Sequence, residues 1–498
     1  TNFTKKNRKL LIRNLESLTI DQVNDFGVAS LVTRMGNDNN NAQRLIVAFF
    51  QMILPSPIMA VISIFMTIKL SPTLALIPLF TILVFALAIV LTLFKSLPYI
   101  LKVQKKLDRM TLVLRERFIG AKIIRAFDNS KKERDKFNDV AQEYTDNYII
   151  INKKFALLSP MAFALMSVVI TLIIFFGAMK VLNNTLEIGS ITAIVEYSLT
   201  TIAALIMSSM VLVQMPKAVV SIERIEEVLN VTSEIKDKEE LKDNSYYEDI
   251  LKQNPISLTF DNVCFRYKGA EKQILKNISF SVKAGERFAI VGATGSGKST
   301  IAKVLLRLND IESGRILING VDALDLPLNC LRNQISYTPQ KAYIFSGKIK
   351  DNFRFTNKDM TDEEMIKIAK IAQSYDFIDS LPDKFDSFVA QGGINFSGGQ
   401  KQRLSIARAL SKDANIYLFD DSFSALDYAT DAKLRKELKT FLKDKITIII
   451  AQRLNTIADA DKIIVLKDSE ITGMGTHQEL LESNQEYIEL AKSQGILE

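Results

Sequence analysis

The sequence predicts an all-helical membrane domain followed by an α/β domain. Three observations support this fold class: long apolar stretches in the first half, a charged stretch over residues 234–254, and short β runs that alternate with helices beyond it. The charge is also uneven. Residues 1–230 carry 26 Lys and Arg against 17 Asp and Glu, whereas residues 231–498 carry 37 against 39. The excess of positive charge therefore belongs to the apolar half.

Four segments of the first half are long enough to cross a membrane. They are nearly free of charged side chains, and charged residues stand at their edges. About 20 apolar residues span a bilayer, and a soluble core could hold one such run but hardly four. We therefore predict a membrane domain over residues 1–230, with spans at about 45–68, 73–94, 158–180 and 191–215.

The charges of the connecting loops predict the orientation of these spans. The loop from Lys95 to Lys154 holds 15 Lys and Arg, whereas the connections around Ser71 and Asn183 hold almost none. Positively charged loops stay in the cytosol. We therefore expect a multi-pass protein of the cell membrane whose N-terminus and α/β domain are cytosolic. Because this rule explains the basic residues, no nucleic-acid partner is needed.

The pattern changes beyond a weakly hydrophobic linker at 231–255. Within residues 256–498, short apolar runs such as Phe288–Val291 and Ile446–Ile450 are separated by helical segments. This alternation is typical of an α/β domain with a largely parallel sheet.

A glycine-rich segment follows the strand Phe288–Val291 and precedes the helical stretch Ile301–Leu308. It fits the pattern G-x-x-x-x-G-K-[ST] with Gly292, Ala293, Thr294, Gly295, Ser296, Gly297, Lys298, Ser299 and Thr300. In this context the glycines let backbone N–H groups turn toward phosphate oxygens. Lys298 is expected to meet the β- and γ-phosphates of a nucleotide, and Ser299 to bind Mg²⁺.

Two further segments extend this prediction. The strand Ile416–Phe419 ends in Asp420, a carboxylate placed where it can act on Mg²⁺. The segment Ser397–Gln400 opens a helix with a serine and two glycines, which makes a second anion site. One phosphate loop and one such helix start together suggest a nucleotide held between two surfaces.

These motifs resemble those of an ATP-binding-cassette (ABC) transporter half of the exporter type, and the resemblance covers essentially the whole chain. The segments Thr338–Gln340, Ser397–Gln400 and Ser424–Asp427 stand in the family's order with the phosphate loop and Asp420. The family implies a transmembrane domain with long cytosolic helices and an α/β P-loop NTPase domain with a helical subdomain at about 342–410. It also implies a head-to-tail dimer that sandwiches ATP.

The resemblance implies a role for each motif residue. Tyr267 would stack on the adenine of ATP, while Gln340 would join Ser299 and Asp420 around Mg²⁺. The contacts to ATP held by the partner chain would come from Ser397, Gly398, Gly399, Gln400 and Asp427. ATP and Mg²⁺ are thus the expected cofactors, and ATP hydrolysis coupled to transport is the expected activity.

Three departures from the family pattern refine this interpretation. Exporter halves have six membrane helices and four are predicted here, so we expect a fragment that lacks the first two. The residue after Asp420 is Asp421, where the family usually has a glutamate that positions the attacking water. The family's switch histidine is replaced by Gln452, which can donate a hydrogen bond but cannot change its protonation state.

The segment Ser397–Gln400, the signature segment of the family, is intact, whereas Asp421 and Gln452 replace two usual residues of the nucleotide site. In this combination the chain resembles the degenerate-site subunit of heterodimeric bacterial multidrug ABC exporters. The resemblance implies slow hydrolysis at this chain's own site and a partner half-transporter that carries the glutamate and the histidine. The expected substrate is a small hydrophobic or amphipathic molecule such as a drug, a lipid or a peptide. The alternatives are a homodimeric exporter with slow hydrolysis and an ATP-gated channel or regulatory subunit.

Glu196 is the one acidic residue inside a predicted span. Acidic residues within a membrane are costly and usually face a cavity. We expect Glu196 to line the translocation path and to favour cations, and the alternative is a side chain that reaches the external interface.

Overall fold

The computed structural model describes residues 2–238, 244–251 and 255–497. The chain divides into two compact units. The first comprises Thr1–Glu16 and Phe26–Thr232, and the second comprises Ser17–Asp25 and Ser233–Glu498. A short segment of the first half, Ser17–Asp25, therefore groups with the second half of the chain.

The first half is built from helices, as its long apolar and amphipathic runs predict. They are α1 (Asn2–Ser17), α2 (Ile20–Phe26), α3 (Val28–Thr33), α4 (Asn39–Ala48), α5 (Pro55–Leu70), α6 (Pro72–Ile119), α7 (Ala121–Ala126), α8 (Ser130–Ala156), α9 (Leu158–Leu182) and α10 (Ile188–Asn230). Two π-helical turns lie between α3 and α4 and between α4 and α5, at Arg34–Asp38 and Phe49–Ile53.

Helices that could span a membrane are identified by their length and their apolar composition. Among the described residues, four helical stretches meet both criteria: Val28–Leu70, Pro72–Ile119, Ser130–Leu182 and Ile188–Ser208. Pro72 begins α6, a position where the missing N–H removes no helical hydrogen bond. Large apolar side chains stay uncovered along these stretches, and Phe80 is 69% exposed and Phe94 72% exposed. Such a surface is suited to the hydrocarbon core of a bilayer.

The described residues of the second unit form three β-sheets. Its strands are β1 (Ser257–Phe265), β2 (Leu275–Lys283), β3 (Arg287–Gly292), β4 (Ser313–Ile318), β5 (Val321–Asp322), β6 (Ile335–Thr338), β7 (Gly347–Lys348), β8 (Phe388–Val389), β9 (Ile416–Asp420), β10 (Ile446–Ile450), β11 (Lys462–Lys467) and β12 (Glu470–Gly475). A six-stranded sheet has the order β12-β11-β3-β10-β9-β6, a four-stranded sheet has the order β2-β1-β4-β5, and β7 pairs with β8.

The strand order of the six-stranded sheet brings the ends of the motif-bearing strands to one edge. β3 pairs in parallel with β10 and β11, and β9 pairs in parallel with β10 and β6. β12 runs antiparallel to β11. Since the carboxyl ends of parallel strands meet at one edge of a sheet, the last residues of β3, β9 and β6 lie along the same edge: Gly292, Asp420 and Thr338. Ligands of open α/β sheets bind outside this edge.

Helices cover this sheet and fill the interval between β6 and β9. The helices of the second half are α11 (Asn244–Leu251), α12 (Lys298–Leu305), α13 (Leu328–Asn333), α14 (Ile349–Phe353), α15 (Asp362–Ile371), α16 (Tyr375–Asp379), α17 (Gly398–Leu410), α18 (Tyr428–Phe441), α19 (His477–Ser483) and α20 (Gln485–Ser493). Four of them, α14 to α17, lie between β6 and β9. The predicted fold class, a helical membrane domain followed by an α/β domain with a helical part, is confirmed.

Candidate nucleotide-binding site

The glycine-rich loop between β3 and α12 is shaped for close approach of a ligand to its backbone. Gly295 and Gly297 have φ of +86° and +100°, a region that side chains disfavour. A Cβ atom at Gly297 would come within 2.6 Å of the carbonyl oxygen of Ile274. The hydroxyl of Ser296 is buried and has no hydrogen-bond partner among the described residues. An unpaired buried hydroxyl in a glycine loop fits a phosphate oxygen.

Lys298 places its ammonium group inside this loop. Its Nζ atom donates to the carbonyl oxygens of Gly292 at 2.8 Å and Ala293 at 2.7 Å. Burial lowers the pKa of Lys298, and the nearby carboxylates of Asp421 and Asp420 oppose that shift. Among the described residues, the hydrogen bonds of this buried cation go to neutral carbonyl groups, an arrangement that favours a polyphosphate.

Asp420 ends β9 as a buried carboxylate. Its Oδ1 atom accepts a hydrogen bond from the hydroxyl of Ser299 at 2.9 Å, and its Oδ2 atom accepts one from the phenol of Tyr337 at 3.3 Å. Burial raises the pKa of Asp420, and this effect outweighs the hydrogen bonds from Ser299 and Tyr337 and the positive charge of Lys298. A carboxylate and a hydroxyl oxygen together are hard donors of the kind that Mg²⁺ takes.

No group of three His, Cys, Asp or Glu side chains is placed to hold a metal ion in the described ranges. Mg²⁺ does not need such a cage, since it usually keeps several waters and binds one or two protein oxygens plus phosphates. The pair Ser299 and Asp420 therefore fits Mg²⁺ bound together with a nucleotide.

Asp421 and Gln340 lie against each other beside Asp420. The amide Nε2 of Gln340 donates to Oδ2 of Asp421 at 3.2 Å. Asp421 has a φ of +48°, and its own N–H donates to the carbonyl oxygen of Ile450 at 2.8 Å, so the end of β10 fixes its backbone. The structure thus brings Gln340 to Asp421, and the expected role of Gln340 around Mg²⁺ with Ser299 and Asp420 stays a prediction.

Tyr267 lines a cavity of about 800 Å³ in the second unit. Its hydroxyl lies 3.3 Å from the hydroxyl of Thr300 and accepts a hydrogen bond from Nζ of Lys303 at 3.0 Å. The ring therefore stands next to the helix that follows the phosphate loop. Asp25, from the segment that groups with this unit, lines the same cavity. An aromatic ring beside a cavity and a phosphate loop is suited to a nucleobase.

The signature segment forms the start of α17. The hydroxyl of Ser397 accepts from the N–H of Gln400 at 3.3 Å, while the side chain of Gln400 accepts from the N–H of Ser397 at 2.9 Å. This capping box orders the helix start. A Cβ atom at Gly398 would meet nothing within 4 Å, and one at Gly399 would lie 3.3 Å from the carbonyl oxygen of Ala425. The start of α17 is therefore open to a ligand at Gly398.

Asp427 caps the start of α18. Its side chain accepts from the N–H of Thr430 at 3.0 Å, and this hydrogen bond lowers the pKa of Asp427. Within the part of the chain that the structure describes, no hydrogen bond joins Asp427 or the signature segment to the phosphate loop. The phosphate loop, which includes Thr294, and the start of α17 are thus two separate surfaces of the described chain.

Tyr337 is a residue of the site that the sequence motifs do not identify. It lies on β6, directly before Thr338–Gln340, and β6 pairs with β9 so that Thr338 is opposite Phe419. Burial raises the pKa of Tyr337, so its phenol stays protonated and donates to Asp420. Tyr337 directly precedes Thr338–Gln340, and its strand lies beside β9, which ends in Asp420. This position is the signal by which the sequence could identify it.

Two family models match this chain. The model described as the ABC transporter transmembrane region matches residues 1–205, and the model described as ABC transporter matches residues 275–424. An uncharacterised ABC transporter ATP-binding protein of Bacillus subtilis, YfiB, is 33% identical over 99% of this chain and 84% of its own length. The chain belongs to the ABC transporter family.

Two further similarities place this ABC transporter among exporters. It is 32% identical to an ATP-dependent lipid A-core flippase of Haemophilus influenzae, over 83% of this chain and 69% of the flippase. A solved structure of a bacterial Atm1-family ABC exporter with ATP bound matches with a TM-score of 0.82 and 25% identity, and the match covers 99% of this chain and 85% of that one. The resemblance to an exporter half-transporter is confirmed.

This ABC transporter therefore spans the membrane, and its cytosolic ATPase domain binds and hydrolyses ATP. ABC exporters work as dimers in a lipid bilayer, so a second half-transporter and the bilayer are its partners. Glu196 lies on α10 within the stretch Ile188–Ser208, and its side chain is exposed. Its place on a translocation path stays a prediction.

Proposed function

We propose that this chain is the degenerate-site subunit of a heterodimeric ABC exporter. It holds ATP at its own phosphate loop and completes the hydrolysing site of a different partner. The observation that carries the proposal is the pair Asp421 and Gln452 beside an intact signature, Ser397–Gln400. Asp421 is one methylene shorter than glutamate, and its backbone is fixed by Ile450. A misplacement of about 1 Å in a catalytic group can cost about 10²-fold in rate.

The nucleotide at this chain's own site is ATP with Mg²⁺. Ser299 and Asp420 would hold the metal ion and Gln340 would join them, and the ion would offset the charge of the β- and γ-phosphates. Lys298 donates to the same phosphates, and Tyr267 stacks on adenine. Gln452 donates a hydrogen bond to the γ-phosphate without exchanging a proton. These roles favour retention of ATP over turnover.

The second surface of the chain serves the partner's nucleotide. Ser397, Gly398, Gly399 and Gln400 at the start of α17, with Asp427, would contact ATP bound by the partner half. The open space at Gly398 and the ordered capping box support this role, since a helix start offers unpaired N–H groups to an anion. Hydrolysis then depends on this chain's signature and on the partner's glutamate.

The exported substrate is a small hydrophobic or amphipathic molecule, and Glu196 lines its path. Support comes from the membrane domain itself, whose spans carry one acidic residue in an exposed position on α10. The relative from Haemophilus influenzae is, by its name, a flippase of lipid A-core. A transport assay with the purified complex in proteoliposomes separates export from an ATP-gated channel. An exporter moves its substrate against a gradient, whereas a channel only dissipates a gradient.

Restoring the usual residues should accelerate this chain's own site. Asp421→Glu combined with Gln452→His is expected to raise hydrolysis at the site by about 10²-fold, because the carboxylate regains its reach and the switch residue can again change its protonation state. The measurement is phosphate release by the complex when the partner's own phosphate-loop lysine is changed to Met. The single variant Gln452→His is the control, and it should give a smaller gain. An unchanged rate in the double variant would show that other residues limit the site.

Purification of the complex from native membranes tests the heterodimer directly. A tag on this chain should recover a second, different ABC half-transporter in equal amount. That partner should carry glutamate after its strand-end aspartate and histidine at the switch position. Recovery of two copies of this chain alone would contradict the heterodimer and favour the slow homodimeric exporter.

Tyr337→Phe should raise the Mg²⁺ concentration that ATP binding at this chain requires. The substitution removes the donor to Oδ2 of Asp420, and loss of such an orienting hydrogen bond typically costs about tenfold in metal affinity. The measurement is the Mg²⁺ concentration that gives half-maximal labelling of this chain by 8-azido-ATP. Tyr417→Phe is the matched control, because its phenol donates to the carbonyl oxygen of Lys412. An equal Mg²⁺ requirement in both variants would contradict the role of Tyr337.

A further inference from the structure

The side chain of Gln494 contacts the backbone at the switch position, Gln452, and two residues after it, at Leu454. Its Oε1 atom accepts from the N–H of Leu454 at 2.8 Å, and its Nε2 atom donates to the carbonyl oxygen of Gln452 at 2.8 Å. The amide group of Gln494 thus accepts one hydrogen bond and donates another, both with the loop that contains Gln452. Two bonds from one rigid group restrict both the position and the orientation of that loop.

Gln494 is itself held by a well-ordered helix end. Its N–H donates to the carbonyl oxygens of Leu490 and Ala491 at 3.2 Å each. Gly495, with a φ of +67°, ends the helix, and the N–H of Ile496 returns to the carbonyl of Ala491 at 3.0 Å. This is the hydrogen-bond pattern of a left-handed helix C-cap. The amide of Gln494 is therefore presented from a fixed position.

The helix that presents Gln494 is anchored in the main core of the ATPase domain. Tyr487 and Ala491 of α20 are fully buried. Asn484 caps the start of α20 by accepting from the N–H of Tyr487 at 2.8 Å, and its amide donates to the carbonyl oxygen of Thr472 at 3.1 Å. Gln494 thus extends from a helix that is tied to the sheet at one end and to the switch loop at the other.

Gln452 has no comparable anchor of its own. Its side chain is exposed and makes no hydrogen bond with the described residues, so its backbone determines where the amide can reach. We propose that Gln494 is a positioning residue, which holds Gln452 in place for the γ-phosphate of ATP at this chain's own site. This inference rests on the proposed function, in which Gln452 contacts that phosphate.

The test compares ATP with ADP, since ADP has no γ-phosphate. In the purified complex, 8-azido-ATP labels this chain separately from its partner, and competition with unlabelled nucleotide gives the affinity. We expect Gln494→Ala to weaken competition by ATP about three- to tenfold, as expected for the loss of one good hydrogen bond, and to leave competition by ADP unchanged. Gln494→Met, which keeps most of the side-chain volume, should give the same result.

Gln485→Ala is the matched control on the same helix. The amide of Gln485 lies 3.5 Å from Glu489, one turn along the helix, and this variant should bind ATP and ADP normally. In a Gln452→Ala background, Gln494→Ala should cause no further loss, because no amide remains to be positioned.

Three outcomes would overturn the inference, and they differ in what they leave standing. Equal weakening of ATP and ADP by Gln494→Ala and Gln494→Met would show that Gln494 only supports the fold. A clear effect of Gln452→Ala without an effect of either Gln494 variant would remove this inference and leave the role of Gln452 intact. Unchanged ATP competition in Gln452→Ala would remove the role of Gln452 and the inference with it.

Discussion

The complex that carries Gly398→Asp is expected to lose nearly all of its ATPase activity, whereas Asp421→Asn should leave a substantial fraction. The signature of this chain completes the partner's site, where hydrolysis is fast. A carboxylate at the start of α17 repels the γ-phosphate and blocks the N–H groups that stabilise its charge. Loss of such donors is usually worth about 10²–10³-fold in rate. Asp421 belongs to the slow site, so its amide variant removes little.

The structure indicates that the effect of Gly398→Asp can be attributed to the site and not to misfolding. A side chain added at Gly398 meets nothing within 4 Å, so the variant should fold normally. Ser397→Ala would be harder to interpret, because it also removes the capping box with Gln400. The measurement is steady-state phosphate release by the complex, and Gly398→Ala controls for the loss of glycine. Equal losses from Gly398→Asp and Asp421→Asn would mean that both sites turn over alike and would contradict the degenerate-site proposal.

Lys298→Met should remove most of the ATP held by this chain. The ammonium group is buried in the loop and donates to two backbone carbonyls, so it is placed for phosphate oxygens. A hydrogen bond to a charged group contributes about 1.5–3 kcal/mol, and Lys298 is expected to make more than one, so ATP affinity should fall about 10²-fold or more. The measurement is labelling of this chain by 8-azido-ATP in the purified complex.

Lys283→Met provides the control for Lys298→Met. Lys283 is an exposed lysine at the end of β2, outside the site. It should leave the labelling of this chain unchanged. Labelling of the partner should persist in Lys298→Met, since the partner's phosphate loop is intact. Normal labelling of this chain in Lys298→Met would contradict its role in holding the nucleotide.

The parts of the site that the sequence predicts are those whose geometry is local. The phosphate loop needs glycines at Gly295 and Gly297 and a lysine at the start of a helix, and all of these lie within one short segment. The capping box at Ser397 and Gln400 is local in the same way. Apolar spans are likewise visible as runs of side chains, because the bilayer sets their length.

The contacts that the sequence does not reveal join distant segments. Tyr337 reaches Asp420 across 83 positions, and Gln494 reaches Gln452 across 42. Neither contact follows from residue type, since tyrosine and glutamine are common on strands and helix ends. They depend on which strands are neighbours and on where a helix ends. Strand order in a parallel sheet is set by the packing of the whole domain, so it cannot be derived from spacing alone.

The grouping of Ser17–Asp25 with the second unit has a consequence for how the protein is made. Asn309 donates to the carboxylate of Asp21 at 2.7 Å, a contact that spans 288 positions. During synthesis this segment leaves the ribosome long before Asn309, and domains generally fold in the order in which they emerge. The ATPase domain therefore completes the wall of the cavity beside Tyr267 with a segment that cannot make this contact until the chain has been translated as far as Asn309.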